Sequence, residues 1–340
     1  EVKATMLDVA AAWGLSPAAV GRALSNRPGV SAANRQRVLE AAQQLGYLPT
    51  MGAVTLPSRP AHLEFMLPIG GNAFMVDLAD HLEDFCARLP LVSRCTIHDI
   101  EGTSPDHLQR AIDKLSETVH GVGVIALDHP KTRNIIREIV EGGVRVVTIV
   151  TDVPAAPRSA YVGIDNRVAG RTVAHLFGRF LQGKGRLALL TGSRVYRGHE
   201  EREMGFRSVL AEEFPDLVVS EVQEINDQPE TSYRAASRML EAKEPIDGIY
   251  CIGAGRSGVV RALSEAHKGR RPYFICHDLT KLTRGYLLND QVDVVIDQNA
   301  RLIAEQSVIQ LLGSIAASAP FLTRKLIEPR IIFKENIPAM

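Results

Sequence analysis

The chain has 340 residues, 45% of them hydrophobic and 23% charged, with 39 basic side chains balanced by 39 acidic ones. That length and apolar content suffice for two or three domains with sizeable cores, and zero formal charge excludes a protein that holds nucleic acid by bulk charge alone. No apolar run approaches the ~18 residues of a membrane span and no secretory h-region is visible. Four scattered cysteines (Cys86, Cys95, Cys251, Cys276) show neither CxxC nor His ligand spacing. The expectation is a cytoplasmic, membrane-free protein with no metal and no cofactor.

In chain order, the first 49 residues read as short helices only. Leu7–Trp13 places Leu7, Ala10 and Ala11 on one face, with Val9 and Trp13 beside it. Gly14-Leu15 is a turn. Ser16 before Pro17 is an N-cap followed by proline at the first helical position, so a second helix starts there and runs to about Leu24. NRPG (Asn26–Gly29) is a loop. Ser31 caps a third helix over about Ala32–Leu45, with Val38, Leu39, Ala42 and Leu45 inward, and Gly46 and Pro49 end it. Two short helices on a Gly-containing turn plus a third packing helix is the helix-turn-helix layout, which a generic three-helix cap shares. Residues 1–60 carry six basic against three acidic side chains, a net of +3.

TMGAVTLPSRPA, residues 50–61, has linker composition. From Leu63 apolar runs alternate with amphipathic helical stretches: LEFML, then Phe74–Arg88; SRCTIH, then His107–Thr118; VGVIAL, then Lys131–Glu141; VRVVTIV. After Val162 come helix Val168–Leu181, strand RLALLT, helix Glu201–Glu213, LVVSEV, Ser232–Glu241, GIYCI, Ser257–Ala266, YFICHD, Lys281–Leu288, VDVVID and Arg301–Leu312. A long βα alternation predicts parallel sheets covered by helices, and its length favours two lobes over one sheet.

The segment MLDVAAAWGLSPAAVGRALSNRPGVSAANRQRVLEAAQQLGYLP carries D-V-A, G-x-S, V-x-R-x-L, V-S-x-x-x-R-x-x-V and L-G-Y-x-P in order over about 45 residues. It resembles the lactose-repressor (LacI/GalR) family of bacterial transcription factors, and the βα alternation is similar to that family's periplasmic-binding-protein-like effector domain. The resemblance implies an α/β chain: an all-α helix-turn-helix domain at 1–49, a hinge at 50–61, and a two-lobed effector-binding and dimerisation domain with parallel sheets at 62–340. The lobes would span about 62–161 and 162–290, with later crossovers.

It also implies a homodimer on a pseudo-palindromic double-stranded DNA operator. The second helix would enter the major groove N-terminus first. Pro17 offers no donor and Ala18 only a methyl group. Arg22 could chelate guanine O6 and N7, worth about 1–3 kcal/mol of discrimination, with Asn26 alongside. Ser16 and Ser31 would hold phosphates. Gly21 stands where the family usually has Ser. The linker would be a hinge helix inserting Leu56 into the minor groove, although a plain flexible linker remains open, and Pro57 shortens any helix there.

Sugar pockets need planar groups that chelate adjacent hydroxyls. By resemblance, GGNAFM supplies Asn72 and Phe74, TIVTD Asp152, HEEREMGF His199 and Arg202, FICHD Asp278 and VVIDQN Gln298. VGIDNRVAG matches the family's D-N-x-x-G segment at the crossover between lobes. Where many relatives have Asn-Asp, this chain reads IGAGRSG, bringing Arg256. The expected effector is a sugar or polyol, with a negatively charged ligand paired with Arg202 and Arg256 left open. Gly253, Gly255 and Gly258 form a literal G-x-G-x-x-G between a strand and a helix, with Asp278 20 residues further on. The alternative is therefore an NAD(H)-binding regulator or NAD-dependent oxidoreductase, but no catalytic constellation accompanies it, so a non-enzyme is expected.

Overall fold

The structure, a computed structural model, describes residues 6–24, 30–31, 34, 37–38, 41–42, 57, 59–102, 104–193, 196–266, 270–316 and 323–338. Asn26 and Leu56, with the rest of 50–56, lie outside the described residues.

Helices α1 (Met6–Trp13) and α2 (Pro17–Leu24) are joined at Gly14, whose φ of +63° is a conformation that glycine adopts without a Cβ clash. Ser16 Oγ accepts the Ala19 N–H at 3.2 Å, and Ser31 Oγ accepts the Asn34 N–H at 3.2 Å. Both serines therefore act as helix-start caps. Val9, Ala10, Val20, Ala23, Val38, Ala41 and Ala42 form the small core here. The three valines, at roughly 1.5–3 kcal/mol each, supply most of its burial energy. Of the face read from sequence, Ala10 is buried but Ala11 is exposed, and Val9, read as lying beside that face, is buried with Ala10. Ser16, Pro17, Ala18 and Arg22 are all exposed, while Val20 and Ala23 are buried.

The first lobe is built from β1 (Ala61–Leu67), α3 (Ala73–Arg88), β2 (Val92–Asp99), α4 (Pro105–Ile112), β3 (Gly121–Val124), α5 (Pro130–Glu141), β4 (Arg145–Ile149) and β5 (Ala160–Ile164). The second holds α6 (Asn166–Phe180), β6 (Gly185–Thr191), α7 (Arg197–Glu213), β7 (Leu217–Glu224), α8 (Pro229–Leu240), β8 (Gly248–Cys251), α9 (Arg256–Glu265), β9 (Tyr273–His277), α10 (Lys281–Leu288) and β10 (Val294–Asp297). The chain then returns through α11 (Ala300–Ala316) and β11 (Thr323–Ile327) to the first sheet, and ends with β12 (Arg330–Ile332) in the second.

The strand orders are β11-β5-β4-β3-β1-β2 and β12-β10-β9-β8-β6-β7, so the two six-stranded sheets repeat one topology. Every pairing is parallel except β10 with β12. Strands such as β3, β5, β8 and β10 are buried along their whole length, as sheets covered on both faces require. Three connections join the lobes: Ile164 to Asn166, Asp297 to Ala300 and Ile327 to Arg330.

Three strands depart from the expected alternation. β5, β11 and β12 are only three to five residues long. A division at about 161/162 falls within β5, which pairs in the first sheet with β11 as far as Ile164. Helix α4 ends at Ile112 rather than Thr118: the Lys114 and Leu115 N–H groups turn back three residues, onto the Ala111 and Ile112 carbonyls, and the buried Glu64 carboxylate then takes the Ser116 N–H at 3.1 Å. Among the described residues no helix is long and apolar enough to cross a membrane. Among them, too, no group of three or more His, Cys, Asp or Glu is placed to hold a metal.

Candidate functional site

A cleft of about 780 Å3 opens between the lobes, lined by the loops that leave the C-terminal ends of the strands. Ligands bind at this end of open parallel sheets, and the volume suits a small organic molecule. The turn after β1 gives Asn72 and Phe74; the ends of β6, β8, β9 and β10 give His199 with Arg202, Arg256, Asp278 and Gln298. Seven of the eight side chains expected from sequence thus converge on one space.

Asp152 is the exception. Its carboxylate accepts Thr148 Oγ1 and the Val153 N–H, both at 2.8 Å, and Arg158 Nη2 at 2.6 Å. Asp152 and Arg158 are both buried, so this is an internal ion pair beside the cleft. Its neighbour Thr151 lines the cleft instead and accepts the Gly198 N–H at 3.3 Å, a bond between lobes. A second link between lobes, Arg197 to Asp128 at 3.6 Å, lies nearby.

The polar floor belongs to the second lobe. Arg202 is 3% exposed and donates Nε to Asn166 Oδ1 and Nη1 to the Ile252 carbonyl, each at 2.8 Å. Asp278 has φ +69°, a left-handed conformation rare outside glycine that marks a constrained position. Gln298 Nε2 donates to Asp278 Oδ1 at 2.7 Å, which fixes the amide and leaves Gln298 Oε1 buried without a donor. Arg256 Nη1 lies 3.5 Å from Asp278 Oδ2, too far for a good hydrogen bond, and is also unpartnered. Buried donors and acceptors left open are costly unless a ligand completes them.

Burial, reinforced by Arg202, lowers the His199 pKa below its ordinary 6.5, against an opposing pull from Asp227. His277, under the floor, is lowered further by burial and by Arg202, His199 and Arg256; its Nε2 meets Tyr250 Oη at 2.7 Å. Both rings are therefore neutral near pH 7.

The first-lobe wall is less polar. Asn72 Oδ1 caps α3 through the Phe74 N–H at 3.1 Å, and Phe74, 2% exposed, is part of the lobe's core as well as of the cleft lining. Sequence reading missed Tyr196, Asn226 and Asp227 in the lining. Asn226 and Asp227 both have positive φ, +49° and +59°, and the Asn-Asp dipeptide after β7 was the available signal.

The three glycines of G-x-G-x-x-G have protein neighbours that account for them. A Cβ on Gly253 would stand 2.3 Å from Asp227 Oδ1, and one on Gly258 1.9 Å from the Pro229 carbonyl oxygen; Gly255 has φ +84°. The motif follows β8, the third strand of its sheet in chain order, whereas a dinucleotide fingerprint opens its domain after the first.

Comparisons with known proteins agree with this architecture. A family model described as a periplasmic binding protein domain matches residues 63–316, and one described as bacterial regulatory proteins, lacI family, matches 5–50. The HTH-type transcriptional repressor PurR of Vibrio cholerae is 25% identical over 255 residues, 73% of each chain. The HTH-type transcriptional regulator AglR of Rhizobium meliloti is 26% identical over 260 residues, 74% of this chain and 71% of that one. A solute-binding protein of an ABC transporter from Burkholderia graminis, solved with D-arabinose, superposes with TM-score 0.75 at 21% identity, over 82% of this chain and 97% of that one, and shares the fold. These regulators are not enzymes. A helix-turn-helix region followed by two mostly parallel six-stranded lobes, matched by both family models, means that the chain belongs to the lacI family of bacterial regulatory proteins: it is a DNA-binding transcriptional regulator with a sugar-binding-like effector domain.

Proposed function

We propose that the chain is a repressor that binds a pseudo-palindromic operator as a homodimer, and that a sugar or polyol in the interlobe cleft sets its operator affinity. The observation that carries the ligand class is the mixed set of open groups on the floor. Gln298 Oε1 lacks a donor, Arg256 Nη1 lacks an acceptor, and Asp278 lies between them. A hydroxyl both donates and accepts, so neighbouring hydroxyls can meet Gln298 Oε1 and Asp278 while a further oxygen of the same guest meets Arg256 Nη1.

On the DNA side, Pro17, Ala18 and Arg22 share the exposed face of α2, and Arg22 is the side chain there able to chelate a guanine. The reading extends to Asn26 and Ser31 as flanking contacts and to Leu56 as a minor-groove wedge. Control follows from linkage: the effector biases lobe closure only as far as it binds the open and closed forms unequally, and the two subunits transmit that bias to their DNA-reading heads.

The test pairs a thermal-shift screen of sugars and polyols with operator mobility shifts. A ligand that raises Tm should change operator affinity, and Asp278→Ala should keep operator binding while losing the response. A normal effector response in Asp278→Ala would move the ligand elsewhere.

A further inference from the structure

The effector class can be narrowed, on the reading that the cleft holds a polyol. The glycine-rich loop that no dinucleotide explains ends at the start of α9, a ten-residue helix whose N-cap, Gly255, offers no side-chain hydrogen bond. Its first residues, Arg256 and Ser257, line the cleft. By position the amides of a first helical turn have no intrahelical acceptor, and the helix dipole makes that end favour negative charge. Of that turn's amides, Gly258 N–H is turned back onto the Gly255 carbonyl at 3.1 Å.

A helix start alone assigns nothing. The second observation is Arg256 itself: 5% exposed, lining the cleft at that helix end, with Nη1 lacking a hydrogen-bond partner. The floor holds a second buried guanidinium, Arg202, whose hydrogen bonds run to the neutral groups Asn166 Oδ1 and Ile252 O. Of the other acids that line the cleft, Asp99 is taken by the Ile69 and Gly70 N–H groups, Glu101 is exposed on the first lobe, and Asp278 is shared between Gln298 and the loose ion pair with Arg256, within electrostatic reach of Asp77. Asp227 is only partly buried and already sits on this loop, accepting the Ala254 N–H at 2.6 Å. The loop's backbone thus already binds one carboxylate, one residue before Gly255.

We propose that the effector is an anionic polyol, a sugar bearing one phosphate monoester or carboxylate group, with the acidic group seated at the start of α9 on Arg256 and Ser257 and the hydroxyls on Asp278 and Gln298. Arg256 thereby selects acidic over neutral sugars.

The experiment uses the full chain and matched trios: glucose, glucose 6-phosphate and gluconate; ribose, ribose 5-phosphate and ribonate; with inorganic phosphate alone as the reference anion. Calorimetry and thermal shift read affinity. In at least one trio an acidic member should bind about tenfold or more tighter than its neutral parent, and the phosphate and carboxylate arms tell the two groups apart. Arg256→Gln should collapse that ratio toward one. Ser257→Asp places a fixed negative charge at the helix start, which favours the helix, so it should suppress the ratio without lowering Tm. Neutral members binding as tightly as acidic ones in every trio would overturn the proposal and leave the polyol reading standing. Failure of every sugar, neutral and acidic, would sink both. Inorganic phosphate binding as tightly as the best acidic sugar would reduce the site to a free-anion site and overturn the proposal as well.

Discussion

Gly170→Ala is the sharpest single perturbation of the site that leaves its chemistry untouched. Gly170 on α6 faces α7 so closely that an alanine Cβ would stand 1.9 Å from the Arg202 carbonyl oxygen and 2.7 Å from its carbonyl carbon. The partner is backbone, so no side chain can swing aside. Relaxing the contact to even about 3.2 Å needs roughly 1.3 Å of separation between the helices. Overpacking of this kind costs about 1–3 kcal/mol, which for a domain of this size lowers Tm by roughly 2–12 °C. The same movement carries Arg202 away from Asn166. A hydrogen bond of 2.8 Å stretched by that amount, to roughly 4 Å, is broken. Effector affinity should therefore fall along with stability, while the exposed face of α2 is unaffected. Thermal melts, effector calorimetry and operator mobility shifts on one preparation separate the three. Gly205→Ala should act alike, since its Cβ would lie 2.1 Å from the Arg167 carbonyl oxygen. The double variant should lose less than the sum, because both substitutions open one crossing. Gly170→Ala melting within about 1 °C of the parent, with unchanged effector affinity, would refute the reasoning.

Other predictions concern the core, the pH range and the reading head. Asp152→Ala leaves the buried Arg158 guanidinium without its carboxylate and should destabilise by about 3–5 kcal/mol in denaturant titrations, an effect larger than any direct change in effector contact. A stable Asp152→Ala variant with lost effector binding would return this residue to the cleft. His199 and His277 have native pKa values lowered from 6.5 by burial, so the unfolded chain takes up more protons as pH drops. Stability should hold above about pH 6.5 and fall below it by up to about 1.4 kcal/mol per pH unit for each ring, measured as a denaturation midpoint series. A flat profile between pH 7 and 5 would show that neither ring resists protonation. Arg22→Ala should erase preference among operator sequences yet keep salt-sensitive binding to any duplex; retained preference would remove Arg22 as the reader.

The lobes were legible because alternation of buried strands and amphipathic helices is a long, repeated signal. The cleft residues were legible where an acid or amide directly follows a strand, as Asp278 and Gln298 do. Asp152 lies beyond the end of β4 rather than directly after it, and nothing local announces that Arg158, six residues on, folds back to claim it. Tyr196 and Asp227 were missed because their place depends on loop paths between elements, which periodicity does not encode. Short strands such as β12, three residues long, give too little pattern to detect, and they form only because a finished sheet edge awaits them. On α1 a shift of one residue in the inward face decided between Ala11 and Val9, a difference set by the partner helix.

The three connections between lobes have a mechanical consequence. Gln298 sits inside the middle one, between Asp297 and Ala300, at the pivot itself. A force applied there has almost no lever arm, so grip on Gln298 fixes a molecule in place without swinging one half against the other. Torque would come instead from contacts on the exposed lining residues, among them Leu282 of one lobe and Glu101 of the other. On the proposed control by lobe closure, tightness of grip and strength of signal would fall to different ends of the same guest, and a compound could excel at one while failing at the other.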